Sequence, residues 1–310
     1  MLCCGLPEVI LRRSFIPRVW GAACAALAFC SSCAGGGRDA FDDNPGGAGF
    51  VSPDAGTVKP RECADATKNI FVIAEDRSIY SFHPPTREFT NKGVLNCPSS
   101  GTPTSMAVDR DGIAWVRDTD GAVWRVSTID LSCTATSYKP QAGTFRKFGM
   151  GFATDAKGGS AEALYLSDSN GAGLAKLDTA TLGLQFIGEY TGALKGGASE
   201  LTGTGDGQLY GFFVTSPAQI AEISKATGEI VNPKALAGVY GGNAWAFSFY
   251  GGDFYIYTSS DGAGVPRTSG GSDVTRYQPS DGKIEVILSK VGFKIVGAGV
   301  STCAPTTTTR

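Results

Sequence analysis

The sequence is poor in histidine and in charged residues. It has one histidine, His83, in 310 residues, and charged residues make up 18% of the chain, below the usual share of about 25%. A single histidine excludes Ser-His-Asp catalysis and histidine-rich metal sites unless they use His83. Because His83 directly follows a short apolar run, we expect it to be a solvated turn residue.

Blocks of basic residues and long apolar runs are scarce too. No cluster of Lys and Arg occurs after residue 33, so the chain lacks the electrostatic footprint of a nucleic-acid-binding protein. After Val19–Phe29, no apolar run approaches the ~18 residues that cross a bilayer. We therefore expect no nucleic acid among the partners and no spanning segment beyond the N-terminal region.

The first 33 residues have the composition of an export signal. Three arginines precede Val19–Phe29, an apolar stretch of 11 residues, which is long enough for a signal peptide and too short to span a bilayer. Removing residues 1–33 takes away three arginines and one glutamate, so the remaining chain is slightly more acidic than the formal net charge of −2.

Residues 27–33 (LAFCSSC) resemble the box that ends bacterial lipoprotein signals, a short apolar-small-small-Cys sequence. The resemblance implies lipidation at Cys33, because small Ser32 precedes it whereas bulky Phe29 precedes Cys30. The sequence departs from the pattern in having Cys30 where leucine is usual. Ordinary signal cleavage and an uncleaved or cytosolic chain are the alternatives.

The remainder of the chain divides into three parts. Residues 34–62 are rich in Gly, Pro, Asp and Ala without any period, which is typical of a flexible tether. Residues 63–305 hold regular apolar runs and are predicted to form one folded domain. Residues 306–310 form a polar tail.

Five short apolar runs resemble one another and recur about every 45 residues. They are Ile70–Ala74, Ile113–Arg117, Leu164–Asp168, Leu209–Phe213 and Phe254–Thr258. Each is followed by a run that reads apolar, any, polar, apolar, and turn residues and a further strand come next. A small, Gly-rich run precedes the later ones, as suits strands crowded around an axis. Four strands in ~45 residues match a propeller blade, so the sequence predicts an all-β, five-bladed β-propeller with four-stranded blades.

The first repeat lacks its Gly-rich run. It begins at Ile70, whereas the chain ends with Val296–Ser301, which resembles the Gly-rich runs of the other repeats. We therefore predict that the C-terminal strand completes the first blade, which would remove two exposed sheet edges. A solenoid of hairpins and a six-bladed ring are the alternatives.

Four cysteines remain beyond the predicted signal and Cys33, and an even number in an exported protein favours disulfides. Four cysteines allow three pairings, but ring closure would bring Cys63 and Cys303 to one seam. This predicts a Cys63–Cys303 bridge, closing a loop of about 240 residues and contributing ~4–5 kcal/mol, and leaves Cys97–Cys133 as the second. None of the four forms a C-x-x-C pair, so we predict no metal site.

Propeller geometry places the loops between blades and the loops between middle strands at one rim around the axis. The predicted ligand-binding rim residues are Asp76, Arg117, Asp118, Asp168, Asn170, Glu200, Asn243 and Trp245. The insert 259–272 should overhang them. For Trp115, Trp124 and Trp245, which fall on predicted strands, packing between blades is the simplest role. We expect a protein, glycan or small-molecule ligand at the rim and no cofactor.

An enzymatic alternative uses Asp118, Asp168 and Glu200 as acid, base or nucleophile, in the way that five-bladed glycosidases place carboxylates near the axis. No glycosidase motif surrounds these residues. Asp109–Gly112 and Asp118–Gly121 match the D-x-D-G start of some calcium loops, but each lacks the late bidentate acid that calcium requires. We therefore expect both segments to be structural turns.

By its whole-chain pattern, residues 20–305 resemble bacterial envelope lipoproteins with a C-terminal propeller of unassigned role. The resemblance implies an exported monomer, held by its N-terminal lipid at the outer membrane or at a periplasmic face. It also implies a binding or scaffold module, with the extracytoplasmic hydrolase or lyase described above as the alternative.

Overall fold

The computed structural model describes residue 63 and residues 65–140, 143–259 and 271–307. The predicted signal with Cys33, the tether and most of the insert 259–272 lie outside the described residues, so the expectations for them stay predictions. The described ranges form twenty strands and two short 3-10 turns, Asp65–Lys68 and Gly192–Leu194. Within those ranges there is no helix of the length and apolarity needed to cross a membrane.

The twenty strands form five four-stranded antiparallel sheets, the blades of a five-bladed β-propeller. The innermost strands are β4 (Pro103–Val108), β8 (Phe148–Thr154), β12 (Ser199–Gly203), β16 (Ala244–Tyr250) and β20 (Ile295–Val300). The second strands are β1 (Ile70–Ala74), β5 (Ile113–Asp118), β9 (Glu162–Asp168), β13 (Leu209–Phe213) and β17 (Asp253–Ser259). The third strands are β2 (Ser78–His83), β6 (Val123–Ser127), β10 (Leu174–Leu177), β14 (Gln219–Ile223) and β18 (Asp273–Gln278). The outer strands are β3 (Glu88–Val94), β7 (Cys133–Ala135), β11 (Leu184–Gly188), β15 (Ile230–Ala235) and β19 (Lys283–Leu288).

The predicted closure of the ring is confirmed. The C-terminal strand β20 pairs antiparallel with β1, with Ile70 opposite Val300 and Val72 opposite Ala298. The first blade therefore has the order β20-β1-β2-β3 and joins the two ends of the propeller domain. Pairing of this kind covers the free edges that an open sheet would expose.

The innermost strands contact one another in a closed ring, β4 to β8 to β12 to β16 to β20 and back to β4. Their small residues allow this crowding. A Cβ added at Gly149 would lie 2.2 Å from the carbonyl oxygen of Ser199, and one at Gly203 would lie 2.1 Å from that of Phe152. Because glycine has no Cβ, the backbones of neighbouring blades can approach this closely.

Apolar side chains fill the spaces between neighbouring blades in five separate clusters. Trp115 is 1% exposed and packs edge-on against Phe152 of the next blade. Trp124 is 6% exposed, in the cluster between the first two blades. Burial of a large apolar side chain stabilises by about 1.5–3 kcal/mol, so these interfaces hold the blades together.

Two disulfides have the predicted pairing. Cys63–Cys303 joins the segment before the first blade to the segment after β20, with Cα atoms 5.6 Å apart. Cys97–Cys133 links the segment after β3 to β7, at the outer side of the first two blades, with Cα atoms 5.4 Å apart. The first bridge fastens the ring at the point where the chain closes it.

Candidate functional site

A cavity of about 340 Å³ lies on the axis, where the innermost strands begin. We call it the axial cavity, and all five blades contribute to its walls. It is lined by Glu75, Thr102, Pro103, Thr104, Arg117, Thr119, Lys147, Phe148, Ser169, Glu200, Asn243, Ala244, Trp245, Lys294 and Val296. Hydroxyl, amide and basic side chains outnumber apolar ones, and Trp245 adds one half-buried aromatic face.

Glu200 lies deep in the axial cavity. It belongs to β12 and is 6% exposed, and one carboxylate oxygen accepts a hydrogen bond of 2.8 Å from the Ser105 hydroxyl of β4. Since β8 lies between β4 and β12 in the ring, this side chain reaches across the centre of the propeller. Burial raises the pKa of Glu200 to about 8, although the Ser105 hydroxyl and the charge of Arg117 oppose the shift.

Arg117 is a buried cation in the wall of the axial cavity. It is 3% exposed at the end of β5, and its guanidinium lies 5.4 Å from the Phe148 ring centroid. Its Nε and Nη2 donate to the carbonyl oxygen of Arg146 at 3.1 and 2.5 Å, and its Nη1 donates to the Thr104 hydroxyl at 2.5 Å. Burial lowers the pKa of Arg117, but a guanidinium stays charged in proteins.

The other basic residues of the axial cavity differ in their partners. Lys294 pairs with Glu75 at 3.1 Å, so its charge is balanced locally. Lys147 is exposed, and among the described residues it has no hydrogen-bond or ion-pair partner for its ammonium group. Three basic residues, Arg117, Lys147 and Lys294, face two acidic ones, Glu75 and Glu200, so the axial cavity carries a net positive charge, and the raised pKa of Glu200 increases it.

A second cavity of about 500 Å³ adjoins the first between the second and third blades. We call it the side cavity, and it shares Arg117, Thr119 and Lys147 with the axial cavity. Its walls are Arg117, Thr119, Asp120, Gly121, Ala122, Tyr138, Pro140, Arg146, Lys147 and Asn170. The Asp120 carboxylate accepts from the hydroxyls of Ser99 and Ser100 and from the Gly101 and Ala122 backbone, which keeps it engaged in the loop.

The structure separates the predicted rim residues into two groups. Arg117, Glu200, Asn243 and Trp245 line the axial cavity, and Asn170 lines the side cavity. The other three rim residues lie at turns or in buried positions, and they are Asp76, Asp118 and Asp168. The insert 259–272 is expected to overhang the rim, and its residues 260–270 lie outside the described residues.

Two of those three aspartates accept hydrogen bonds from backbone N–H groups, and the third is buried. Asp76 accepts a hydrogen bond of 2.9 Å from the Ser78 N–H. Asp168 is 1% exposed, and its two oxygens accept from the Phe145 N–H at 2.8 Å and the Ala172 N–H at 3.1 Å. Asp118 is 2% exposed, and burial raises its pKa.

Sequence reasoning missed eleven of the fifteen residues that line the axial cavity, among them Thr104, Lys147 and Phe148. Each of these three stands at or just before the start of an innermost strand, in the same position as Asn243 and Trp245. The signal was therefore present in the Gly-rich runs, because extending each run by one or two residues toward its N-terminus reaches the cavity. In the first blade, Lys294 stands directly before the innermost strand β20, and it pairs there with Glu75, which follows β1.

The described residues offer little for a metal. No group of three or more His, Cys, Asp or Glu side chains converges within the described ranges. In the D-x-D-G segment at 109–112, one Asp109 oxygen accepts from the Asp111 and Ile113 N–H groups, as a turn residue does. The ring of His83 lies 3.1 Å from the Thr86 hydroxyl, in the turn after β2.

The opposite ends of the innermost strands carry a second polar group, which we call the closure cluster: Arg110, Glu162, Thr302 and the Cys63–Cys303 bridge. The two oxygens of Glu162 accept from the Arg110 N–H and the Thr302 hydroxyl, each at 2.7 Å. The Arg110 guanidinium donates to Thr302 at 3.2 Å and to the sulfur of Cys63 at 3.3 Å. Burial raises the pKa of Glu162 to about 7.

The chain is thus a five-bladed propeller with an open cavity, lined by polar and apolar side chains, at one end of its axis. No protein-family model matches it, and no curated protein does. Solved structures with similar folds include a protein of unknown function from Bacteroides caccae, 13% identical, covering 75% of this chain and 98% of that one, with a TM-score of 0.42. Regucalcin of Agrobacterium tumefaciens, a calcium-binding protein, is 11% identical and covers 76% of this chain and 75% of that one, with a TM-score of 0.41. A luciferin-regenerating enzyme is 13% identical and covers 77% of this chain and 94% of that one, with a TM-score of 0.42. Identities this low say nothing about the chemistry of the axial cavity.

Proposed function

We propose that this protein is a ligand-binding module of the bacterial cell envelope and that it takes a small polar ligand in the axial cavity. The single observation that carries this proposal is the convergence of all five blades on one open cavity. Its volume falls in the range of small-molecule sites, and its walls combine two aromatic side chains, Phe148 and Trp245, with several hydrogen-bonding groups.

The rigidity of the surroundings supports this role. The innermost strands contact their neighbours around the whole ring. Glu200 accepts a hydrogen bond from Ser105 of another strand, and Arg117 donates one to Thr104 of another strand. A site built on such strands keeps its geometry without a ligand, which lowers the entropy lost on binding.

The enzymatic alternative has no comparable support. It needs Asp118, Asp168 and Glu200 to act on one substrate, but Asp168 spends both oxygens on backbone N–H groups. Of the three, Glu200 alone lines the axial cavity. We therefore favour binding over hydrolysis or lysis for this cavity.

The binding proposal is tested by equilibrium titration of the purified protein with a panel of neutral sugars, acidic sugars and short peptides. We expect at least one class to bind, and Trp245→Ala to weaken that binding at least tenfold, because the indole forms one wall. Tyr240→Ala is the matched control, since Tyr240 is 59% exposed and outside both cavities. Equal losses in both variants, or no binding by any class, would contradict the proposal.

The envelope location is a separate part of the proposal and rests on the sequence of residues 1–62. We infer that the signal is removed before Cys33 and that this cysteine carries the lipid. Mass spectrometry of the protein from a bacterial membrane fraction should find a diacylglyceryl group at Cys33, with residues 1–32 absent. Cys33→Ala should move the protein out of the membrane fraction, whereas a Cys30→Ala control should not.

A further inference from the structure

Arg117 is a buried charge with no carboxylate within ion-pair distance in the described part of the chain, although Glu200 lies near enough for its charge to oppose the lowering of the Arg117 pKa. It is 3% exposed, and none of the ion pairs among the described residues includes it. Its protein partners are a backbone carbonyl, a threonine hydroxyl and the face of Phe148. Buried charges in proteins are nearly always paired, so the position of this cation at the wall of two cavities points to an anion supplied from outside.

The guanidinium of Arg117 also has donors to spare. It carries five N–H groups, and three hydrogen bonds to Arg146 and Thr104 fix its plane. Two N–H groups are left for a ligand. A guanidinium held in this way can give two hydrogen bonds to one carboxylate, which is the strongest arrangement that arginine makes with an anion.

The charge around Arg117 favours the same kind of ligand. Together the two cavities are lined by four basic residues and three acidic ones. Glu75 is paired with Lys294 and Asp120 is held by its own loop, whereas burial keeps Glu200 largely protonated near pH 7. Asp120 keeps its negative charge within the hydrogen bonds of its loop, so the four basic residues outnumber the ionised carboxylates of Glu75 and Asp120 by two.

The remaining walls indicate what the anion is attached to. Thr102, Thr104, Thr119, Ser169 and Asn243 present hydroxyl and amide groups, and Trp245 presents an aromatic face. Such walls suit a compact body that carries many hydroxyl groups on one edge and C–H groups on its faces. In the axial cavity, the cations without an ion pair are one lysine and one buried guanidinium. They match a planar carboxylate better than a phosphate, which brings nearly two charges and three strong acceptor oxygens.

We propose that the axial and side cavities bind an acidic sugar, with its carboxylate between Arg117 and Lys147 and its hydroxyl-rich ring against the threonines and Trp245. This inference rests on the proposed binding function and names the ligand class. The side cavity gives room for a further sugar unit beyond Arg117, and Arg146 and Asn170 would line that unit.

The test is calorimetric titration of the protein with three sugar acids (D-glucuronate, D-galacturonate and N-acetylneuraminate), D-glucuronamide, D-glucose and inorganic phosphate. We expect one of the acids to bind at least tenfold more tightly than the uncharged probes and phosphate. Lys147→Ala should cost that acid about fivefold in affinity and leave D-glucose unchanged. Lys234→Ala is the matched control, because Lys234 is an exposed lysine on the outer strand β15.

A second variant tests the buried cation itself. Arg117→Lys keeps the charge but removes the fork of N–H donors, so it should weaken binding of the preferred acid at least tenfold. Circular dichroism and thermal unfolding show whether this variant folds. If Arg117→Lys does not fold, the affinity of the Lys147→Ala variant decides the inference.

The outcomes separate this inference from the binding function. If D-glucose binds as tightly as every acid and Trp245→Ala still removes binding, the cavity is a binding site but its ligand is not acidic. If phosphate binds more tightly than every acid, the carboxylate class is wrong. If none of the probes binds below 10 mM, the acidic-sugar inference is wrong, whereas the wider panel above decides the binding function.

Discussion

The two ends of the innermost strands each contain a glutamate and an arginine, but these residues have different surroundings. The axial cavity has the buried Glu200 near the buried Arg117, and the closure cluster has the half-buried Glu162 near Arg110. In the closure cluster, the Arg110 N–H and the Thr302 hydroxyl use both oxygens of Glu162. Neither the Arg110 nor the Arg117 guanidinium makes an ion pair with a carboxylate among the described residues, but Arg110 bonds to Thr302 and to the sulfur of Cys63, whereas Arg117 lines an open cavity.

The two ends of the ring therefore suit different roles: one end is closed by protein contacts, and the proposed function places a ligand at the other. A polar group whose partners all come from the protein contributes to the fold. A buried cation that has spare donors and faces open space costs free energy until an anion arrives. We therefore propose that the closure cluster serves stability and that the axial cavity serves binding.

The largest expected effect is on the closure side. Replacing Cys63 and Cys303 together by alanine removes a bridge across 240 residues, and the free energy of unfolding should fall by about 5 kcal/mol. The same change at Cys97 and Cys133, a separation of 36, should cost about 4 kcal/mol. Urea unfolding measures both losses. Equal or reversed losses would show that the bridge closing the ring does not stabilise the fold more than the bridge between the first two blades.

The next effect concerns Glu200. A carboxyl with a raised folded pKa adds stability below its unfolded pKa of about 4.5 and loses it as pH rises through about 8. Glu200→Gln stays neutral, so its free energy of unfolding should fall less than that of the unaltered protein, by about 3 kcal/mol between pH 4.5 and 9. Parallel pH profiles for the two proteins would mean that the pKa of Glu200 is not raised in the folded state.

The matching change in the closure cluster should act in a lower pH window. Burial is the main cause of the raised pKa of Glu162, about 7, so its contribution to stability is lost as pH rises from about 4.5 to about 7. Glu162→Gln should flatten that part of the profile by about 2 kcal/mol, because glutamine can keep partners at Arg110 and Thr302. A midpoint shared with Glu200 would show that the two ends do not differ.

The smallest effect is expected at the ion pair beside the axial cavity. Glu75→Gln removes the partner of Lys294, and exposed pairs contribute less than about 1 kcal/mol. Stability should barely change, whereas affinity for the preferred sugar acid should rise about twofold, because one negative charge leaves the cavity. Lower affinity for the acid would contradict the charge argument.

The ring could be predicted from the sequence because each blade repeats the same pattern of apolar side chains, which pack within the blade and against its neighbours. Runs such as Ile70–Ala74 recur with the blade, and the C-terminal Gly-rich run predicted the closure with β1 that the structure confirms. The disulfide pairing followed from the same closure.

The cavity was predicted less well because its chemistry depends on contacts between blades. The charge of Asp168 reads as a binding group in the sequence, yet backbone N–H groups from two loops take both its oxygens. Lys147 carries no pattern of its own and becomes notable only through its place beside Arg117. Nothing in the spacing of residues shows that the hydroxyl of Ser105 reaches Glu200 from another blade.

The most direct test of the difference between the two ends uses the tryptophan indoles as reporters in a ¹H–¹⁵N NMR titration with the preferred ligand of the panel. Trp245 lines the axial cavity, whereas the indole of Trp115 donates to Asp109 at 3.4 Å, at the end of the strands that holds the closure cluster. We predict that the Trp245 signal shifts in proportion to ligand bound, while the Trp115 and Trp124 signals stay in place. A shift at Trp115 with an unmoved Trp245 would contradict the account.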